Sequence, residues 1–395
     1  MWASQRASIG AAKIGLAMAV GLWLSAFGAA YAEPAFKLTG TYTGDVSAVT
    51  QGTRQGVRYL DDVLVTADLD LGAAAGLHGL TAHAQLLSNL GGKPNVLAAT
   101  LQGVDNIEVS QHRVRLFEAW LDQSLFKDRA SVRVGLYNLN SEFYANDSAS
   151  LLLAPAFGIG SELAATGPNG PSIFPSTALA VRVRTQPSKD LYLEAAIINA
   201  KAGVLGDPGG VDLSFGDGAL LITEAGWTGR GKFAIGAWRY TKAQSDIRDV
   251  GPLGAPLQRQ ANGLYLLADQ PIRGNDGDVR QVKAFARVGV SDGDTTPFVG
   301  GYQFGVLINR PFASRPHDAL SIGFDQAFLS PKYRANALDA GRRLHPTETQ
   351  AEITYAGRIT DHLTLQPSLQ WTHRPAGDPA TPDALVAALR FTIAL

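Results

Sequence analysis

Beyond residue 33 this chain of 395 residues has no run approaching the ~20 consecutive apolar residues of a membrane-spanning helix; what it has instead is alternation. From Leu363 the odd positions are Leu363, Leu365, Pro367, Leu369 and Trp371, and the even ones are Thr364, Gln366, Ser368, Gln370 and Thr372. One face is apolar and the other polar, with the period of two that marks a β-strand. The last segment repeats this with Leu385, Ala387, Leu389, Phe391, Ile393 and Leu395 against Arg390 and Thr392. A soluble sandwich alternates in the same way, so length has to decide. A strand that crosses a bilayer needs ~9–11 residues, whereas soluble strands commonly have ~5–6. Most segments here have the longer value: 36–46, 60–71, 78–89, 112–123, 130–138, 177–186, 190–199, 219–228, 231–241, 261–270, 281–291, 301–309, 319–329, 349–359, 363–373 and 384–395. That is sixteen strands, the even number that a single-chain bacterial barrel requires.

The connections alternate too. Residues 47–59, 90–111, 139–176, 200–218 and 330–348 make long ones, while 187–189, 229–230 and 360–362 are tight. Long extracellular loops and short periplasmic turns have this pattern. Thr228-Gly229-Arg230-Gly231 and Gln186-Pro187-Ser188-Lys189 supply the Gly and Pro of such turns. Phe36, Tyr42, Phe304, Phe324, Phe328 and Trp371 fit interfacial girdles as well as they fit ordinary packing. The expected fold is all-β, a 16-stranded antiparallel transmembrane β-barrel.

Its location follows from the amino terminus. Arg6 and Lys13 precede an apolar run from Ile14 to Ala30 that closes on Ala30-Tyr31-Ala32, a secretory signal with a small-residue cleavage site. A membrane anchor is the rival reading, but the run is rich in Gly and Ala and no stop-transfer flank follows. Residues 1–32 are therefore expected to be removed, and 33–395 to form one barrel domain in a bacterial outer membrane. Cleavage takes away two of the 34 basic residues and none of the 35 acidic ones, so no strongly basic surface for nucleic acid remains. Both methionines lie in the signal and cysteine is absent, which excludes disulfides, thiol nucleophiles and thiolate metal sites.

With the apolar face outward, the inward face carries charges of both signs. Arg182 and Arg184 alternate with Leu179, Val181 and Val183; Tyr192 and Glu194 with Leu191, Leu193 and Ile197; Lys283 and Arg287 with Val282, Ala284, Ala286 and Val288. Asp325 sits between Phe324 and Gln326. Facing lipid, an Arg or Lys at the midplane costs about 2–4 kcal/mol, so these groups face water or one another. They could form a salt-bridged plug, but sixteen strands enclose more space than side chains alone fill, which favours a channel.

The densest candidate site is the segment from His112 to Gln123. If Phe117, Ala119 and Leu121 face lipid, then Glu118, Trp120 and Asp122 face the lumen, with an aromatic platform between two acceptors as sugar recognition requires. The same register sends Arg113 and Arg115 outward, so a bulge or the end of the strand is expected nearby. Residues 139–176 form a connection longer than a surface loop needs, mixing Glu142, Asn146, Asp147, Glu162 and Asn169 with Phe143, Tyr144, Phe157 and Phe174. It is read as a loop folded into the pore to narrow it, with an external lid or a contact with lipopolysaccharide as the alternative. Asn275-Asp276-Gly277-Asp278 and Ser291-Asp292-Gly293-Asp294 lack the distal Glu of a calcium loop and read as turns. The seven histidines show no paired metal spacing, and neither a GxSxG elbow nor a phosphate-binding Gly loop occurs. No cofactor or enzymatic activity is expected.

Several blocks, in order from about Thr41 to the C-terminus, resemble the carbohydrate-selective porins of the OprB type. They are Arg115-Leu116-Phe117-Glu118-Ala119-Trp120; Arg133-Val134-Gly135 with Asn140-Ser141-Glu142-Phe143; and Asn146-Asp147 leading to Ala156-Phe157-Gly158. Gly263 to Gln270, Phe285 to Gly289, Tyr302 to Gly305 and Gln326 to Ser330 extend the likeness. The resemblance implies a sixteen-stranded barrel through which glucose and related small sugars or oligosaccharides diffuse passively. It also implies a channel role for Arg115, Glu118, Trp120 and Arg133, to which the alternation adds Asp122, Arg182, Arg184, Glu194 and Arg287. Two features depart from that family: its Trp-, Gly- and Leu-rich segment before the first strand is missing, and the chain ends in Leu395 rather than Phe. A general porin without sugar preference, an outer-membrane enzyme and a structural anchor are the competing functions. The remaining expected partners are outer-membrane lipid and lipopolysaccharide, and the apolar outward face suits a homo-oligomer as well as a monomer.

Overall fold

The structure, a computed structural model, describes residues 35–204, 207, 209–274 and 280–395. The signal segment with its cleavage site and the Asn275-Asp276-Gly277-Asp278 turn lie outside them. The strands are β1 (Phe36–Gln51), β2 (Gly56–Asp70), β3 (Leu80–Gly91), β4 (Val114–Leu125), β5 (Ala130–Tyr137), β6 (Ala178–Ser188), β7 (Leu191–Asn199), β8 (Ala219–Trp227) and β9 (Lys232–Tyr240). They continue as β10 (Gln244–Val250), β11 (Pro256–Arg259), β12 (Asn262–Arg273), β13 (Gln281–Ser291), β14 (Phe298–Asn309), β15 (Ala319–Leu329), β16 (Thr347–Arg358), β17 (Leu363–His373) and β18 (Ala384–Ala394).

All but β10 and β11 join one closed antiparallel barrel. Each barrel strand pairs with the barrel strands before and after it, and β1 returns to β18 through Asp45↔Arg390 and Val46↔Leu389. Closure removes every edge, so the whole backbone ladder is satisfied without water, as a hydrocarbon surround demands. All sixteen segments marked by alternation are present. The alternation also set the faces correctly over most of the wall: Val181, Val183, Ile197, Ile235, Leu264, Val288 and Phe304 point outward and are exposed. Phe304 and Phe324 stack at 5.2 Å, with Tyr302 and Phe328 in the same outward band. A shallow apolar furrow of about 800 Å³ between Phe233 and Phe304 belongs to this lipid side and not to the passage.

Three local expectations are corrected. The first connection is residues 52–55 and not 47–59, because β1 and β2 stay paired as far as Val49↔Gly56. Polar Ser47, Thr50 and Gln51 end the apolar alternation there but do not end a ladder made of backbone bonds. Gln186-Pro187-Ser188 is still strand, with Ser188↔Leu191 paired, so that turn shrinks to residues 189–190. The connection from β9 to β12 is not plain loop: β10 and β11 form a separate hairpin within it. Between β15 and β16 a helix, α1 (Pro331–Asp339), starts where the Ser330 side chain accepts from Lys332 N–H and Pro331 takes a first-turn position. Long connections, 92–113, 138–177, 200–218 and 330–346, lie at one end of the barrel, although 52–55 at that end is short and 71–79 and 310–318 at the other end have nine residues each.

Candidate pore and its lining

The lining begins with a bulge. Between β3 and β4 the register runs Gln85↔Glu118 and then Leu86↔Leu116, so Phe117 is one residue more than the partner strand has. A one-residue step inverts the alternation. On the turn side of the bulge Glu118, Trp120 and Asp122 point inward; on the loop side Arg115 does so as well, while Val114 and Leu116 face out. Phe117, expected on the lipid face, is instead buried, packs edge-on against Phe174, and its carbonyl accepts from the Thr177 hydroxyl. Arg115 donates to the Pro175 carbonyl at 2.9 Å and to Ser176 at 3.4 Å, and so lies beneath residues 175–176.

Trp120 is the centre of a layered cluster. His83 on β3 stacks on the indole with ring centroids 4.5 Å apart, and the Arg133 guanidinium on β5 lies 3.7 Å from its centroid. These groups come from the strands on either side of β4, so they cover the ring's two faces. Trp120 Nε1 donates to Glu118 at 3.0 Å. No Cβ obstructs the ring from β5, because its direct partner there is Gly135. The indole expected as a bare platform is therefore the middle of a sandwich. Beyond it an ion network follows the wall: Arg133 Nε to Asp122 at 2.8 Å, Arg182 to Asp122 at 2.8 Å, Arg182 to Glu142 at 2.8 Å, with Arg133 3.7 Å from Glu142. His83 closes the other end on Asp68 at 2.7 Å.

Glu142 belongs to the connection from β5 to β6, residues 138–177, which runs through the lumen. Wall carboxylates grip its backbone N–H groups. Glu224 accepts from Tyr144 N–H at 2.9 Å, Asp269 from Ser148 N–H at 2.8 Å, and Glu352 from Leu153 and Ala154 N–H at 2.8 and 2.9 Å. Hydrogen bonds to a charged acceptor contribute roughly 1.5–3 kcal/mol each, so acidic side chains on an apparently hydrated face become fasteners. Inward glycines make room for the segment. A Cβ at Gly289 would overlap Glu162 and the Tyr144 hydroxyl, and one at Gly323 would press on Leu152 and Phe157.

The residues singled out from sequence divide accordingly. Asp122 and Arg133 are largely covered, with 13% and 15% of their side chains exposed, whereas Arg184, paired with Glu194 at 3.0 Å and set over the Tyr192 ring at 4.7 Å, keeps a well exposed side chain. Glu118, Glu194 and Arg182 are buried. Arg287, expected in the lumen, is buried behind the segment and donates to the Tyr144, Ala156 and Gly158 carbonyls at 3.0, 2.7 and 3.1 Å.

Sequence reasoning missed a second inward connection, residues 92–113. Glu348 accepts from Leu101 and Gln102 N–H at 2.9 and 3.0 Å, and Arg390 ties it to Asp45 through Asn106. The two connections also meet, Asn106 N–H donating to the Leu153 carbonyl at 2.8 Å. Glu348 and Glu352 lie on the inward face, but their partners here are backbone groups, which carry no sequence signal. The Ser291-Asp292-Gly293-Asp294 stretch is a turn as expected, with Asp292 accepting from Asp294 and Thr295 N–H.

Comparison with known proteins brings these observations together. The sequence model of the family described as carbohydrate-selective porin, OprB family, matches residues 54–395. Porin B of Pseudomonas aeruginosa is 25% identical over 310 residues, which is 70% of this chain and 67% of that protein. A putative porin, QuiX, of Acinetobacter baylyi is 22% identical over 307 residues, 71% of this chain and 69% of its own. Among solved structures, the high-pH structure of Pseudomonas putida OprB superposes with a TM-score of 0.82 at 21% identity, covering 91% of this chain and 94% of that one.

Proposed function

The chain belongs to the OprB family of carbohydrate-selective porins, sugar-selective channels of the outer membrane, and from that premise we propose that small uncharged sugars of glucose size diffuse passively through the gap between residues 138–177 and the wall of β2 to β6. The observation that carries this is where partly open polar groups remain. Asp68, His83, Gln85, Trp120, Asp122, Arg133, Glu142 and Arg184 are incompletely buried, and they share one sector. Around the rest of the wall Glu224, Asp269, Glu348 and Glu352 are engaged with loop backbone.

Residues 138–177 act as the constriction, and the loop-rich end faces outward from the cell. Within the gap, Asp122, Arg133, Glu142 and Arg184 offer donors and acceptors to hydroxyl groups, while Trp120, covered on both faces, orients Arg133 rather than stacking on sugar. Arg115, Glu118, Arg182, Glu194 and Arg287 hold the frame. Residues 1–32 serve as a cleaved export signal. Lipopolysaccharide around the rim and self-association remain the other partners of this reading.

Liposome swelling tests it. Barrels reconstituted from the full chain should admit glucose well above protein-free vesicles, and glucose should reduce single-channel ion current with saturation. Swelling no faster than in protein-free vesicles refutes the channel reading. Current that falls only in proportion to viscosity refutes a sugar site and leaves a general porin.

A further inference from the structure

Behind the constricting segment, against β13 to β15, lies a cavity with room for a single water-sized occupant, about 10 Å³ measured at its centre. Glu162, Arg287, Gln303, Asp325, Tyr144 and Gln102 line it. Gln303 is 2% exposed, and neither its amide oxygen nor its amide nitrogen has a hydrogen-bond partner. Asp325 is 6% exposed and its Oδ1 is likewise unpartnered; Gln102, whose oxygen accepts from Ser161 and whose amide nitrogen is also unpartnered, lines the same cavity. Arg287 is the positive group of this site, but its guanidinium is occupied by the carbonyls of Tyr144, Ala156 and Gly158. Glu162 accepts from the Tyr144 hydroxyl at 2.5 Å.

The enclosed charges do not balance. With both carboxylates ionised, one guanidinium stands against two negative charges. Buried charge of this kind is normally matched by a partner or by a bound ion. Among the described residues no three His, Cys, Asp or Glu side chains converge to hold a metal, which argues against a transition metal. What lines the cavity instead is hard oxygen from two carboxylates and an amide, suited to an ion with little geometric demand.

We propose that this cavity binds one monovalent cation of sodium or potassium size through Asp325 Oδ1, the Gln303 amide oxygen and the Glu162 carboxylate, and that the ion fastens residues 143–163 to the wall. One unit of positive charge closes the balance that Arg287 leaves open. The site is separate from the sugar passage, so it stands or falls independently of the proposed selectivity.

The test uses the full-length barrel purified in detergent, with thermal unfolding measured in sodium, potassium and choline chloride at equal ionic strength. A ligand that binds only the folded state raises Tm saturably, so we expect a rise of about 3 °C or more in sodium or potassium over choline, levelling off with concentration. Sodium-23 resonance lines should broaden in the presence of the protein and sharpen again when potassium is added. Asp325→Asn and Gln303→Leu should abolish both responses. If Asp325→Asn does not fold, Gln303→Leu, which changes no charge, carries the comparison. Equal Tm in sodium and choline, or sodium broadening unchanged in Gln303→Leu, overturns the proposal. A Tm that follows pH but not the cation also overturns it, and points to a shared proton.

Discussion

At the residue scale, side chains that alternation rightly turned inward mostly bind the protein itself. Arg182 is 2% exposed and sits between Asp122 and Glu142. Removing one partner of a buried pair leaves the other charge uncompensated, a loss of roughly 3–5 kcal/mol. Glu142→Gln should therefore lower thermal stability by more than an exposed substitution such as Asp147→Asn, and should raise single-channel conductance as the constriction loosens. Unchanged conductance would mean that Glu142 does not hold the gap closed. Trp120 yields a different expectation. Trp120→Phe keeps a ring between His83 and Arg133 and should preserve glucose-dependent current block, whereas Trp120→Ala should release Arg133 and weaken the block about tenfold, the factor that 1.4 kcal/mol corresponds to. The sequence marked these side chains as inward because a period of two assigns faces directly. It could not show that His83 and Arg133 cover the indole, because that depends on neighbours across two strand pairings.

At the scale of elements, the Phe117 bulge decides whether β4 can carry its charges. Inserting one alanine between Gln85 and Leu86, opposite Phe117, should give Phe117 a partner, restore a regular ladder and turn Arg115 toward lipid, at a cost of up to about 2–4 kcal/mol that falls toward the interface. The expected result is poor assembly, read as loss of the heat-modifiable folded band on electrophoresis; normal assembly would show that the bulge is dispensable. The unforeseen hairpin of β10 and β11 leans on α1. Lys332 binds Asp246 and is 2.8 Å from both Asp249 and Asp294, and Arg248 reaches Asp339 at 2.7 Å. Burial alone would raise the Asp246 carboxyl, but donors from Lys332, the Asp249 and Arg248 N–H groups and Arg259 hold it well below the usual range. A depressed carboxylate stabilises above its unfolded value and stops doing so as the pH falls through its folded one. Hydrogen-exchange protection of residues 331–339 should thus persist above about pH 4, the ordinary Asp value, and fall below it. Lys332→Ala should reduce that protection at neutral pH as well. The hairpin and helix were not legible because both are short, polar and held by long-range ion pairs rather than by a periodic apolar face.

At the scale of the whole molecule, the barrel was readable and its filling was not. Sixteen strands and their faces follow from a repeated local pattern, whereas the paths of residues 92–113 and 138–177 depend on wall acids meeting loop backbone across the lumen. Glu352, for example, is distant in sequence from Leu153 and Ala154, yet it anchors both. If those contacts set the passage, Glu352→Gln should widen it, and vesicles should then admit a disaccharide faster relative to glucose than the parent protein allows. An unchanged ratio would place the limiting width elsewhere.

The pairing of charges around the gap has one more consequence. Asp122 with Arg133, Arg182 with Glu142 and Arg184 with Glu194 make most of the charge lining the gap its own counter-ion. Such a surface presents strong local dipoles but little net potential over a Debye length of about 8 Å. An uncharged hexose feels no Donnan potential between medium and periplasm, and this lining neither concentrates nor expels the ions that create one. Its intake should therefore follow the sugar gradient alone and stay nearly constant as external salinity changes, where a pore lined by one sign of charge would see its ion occupancy drift.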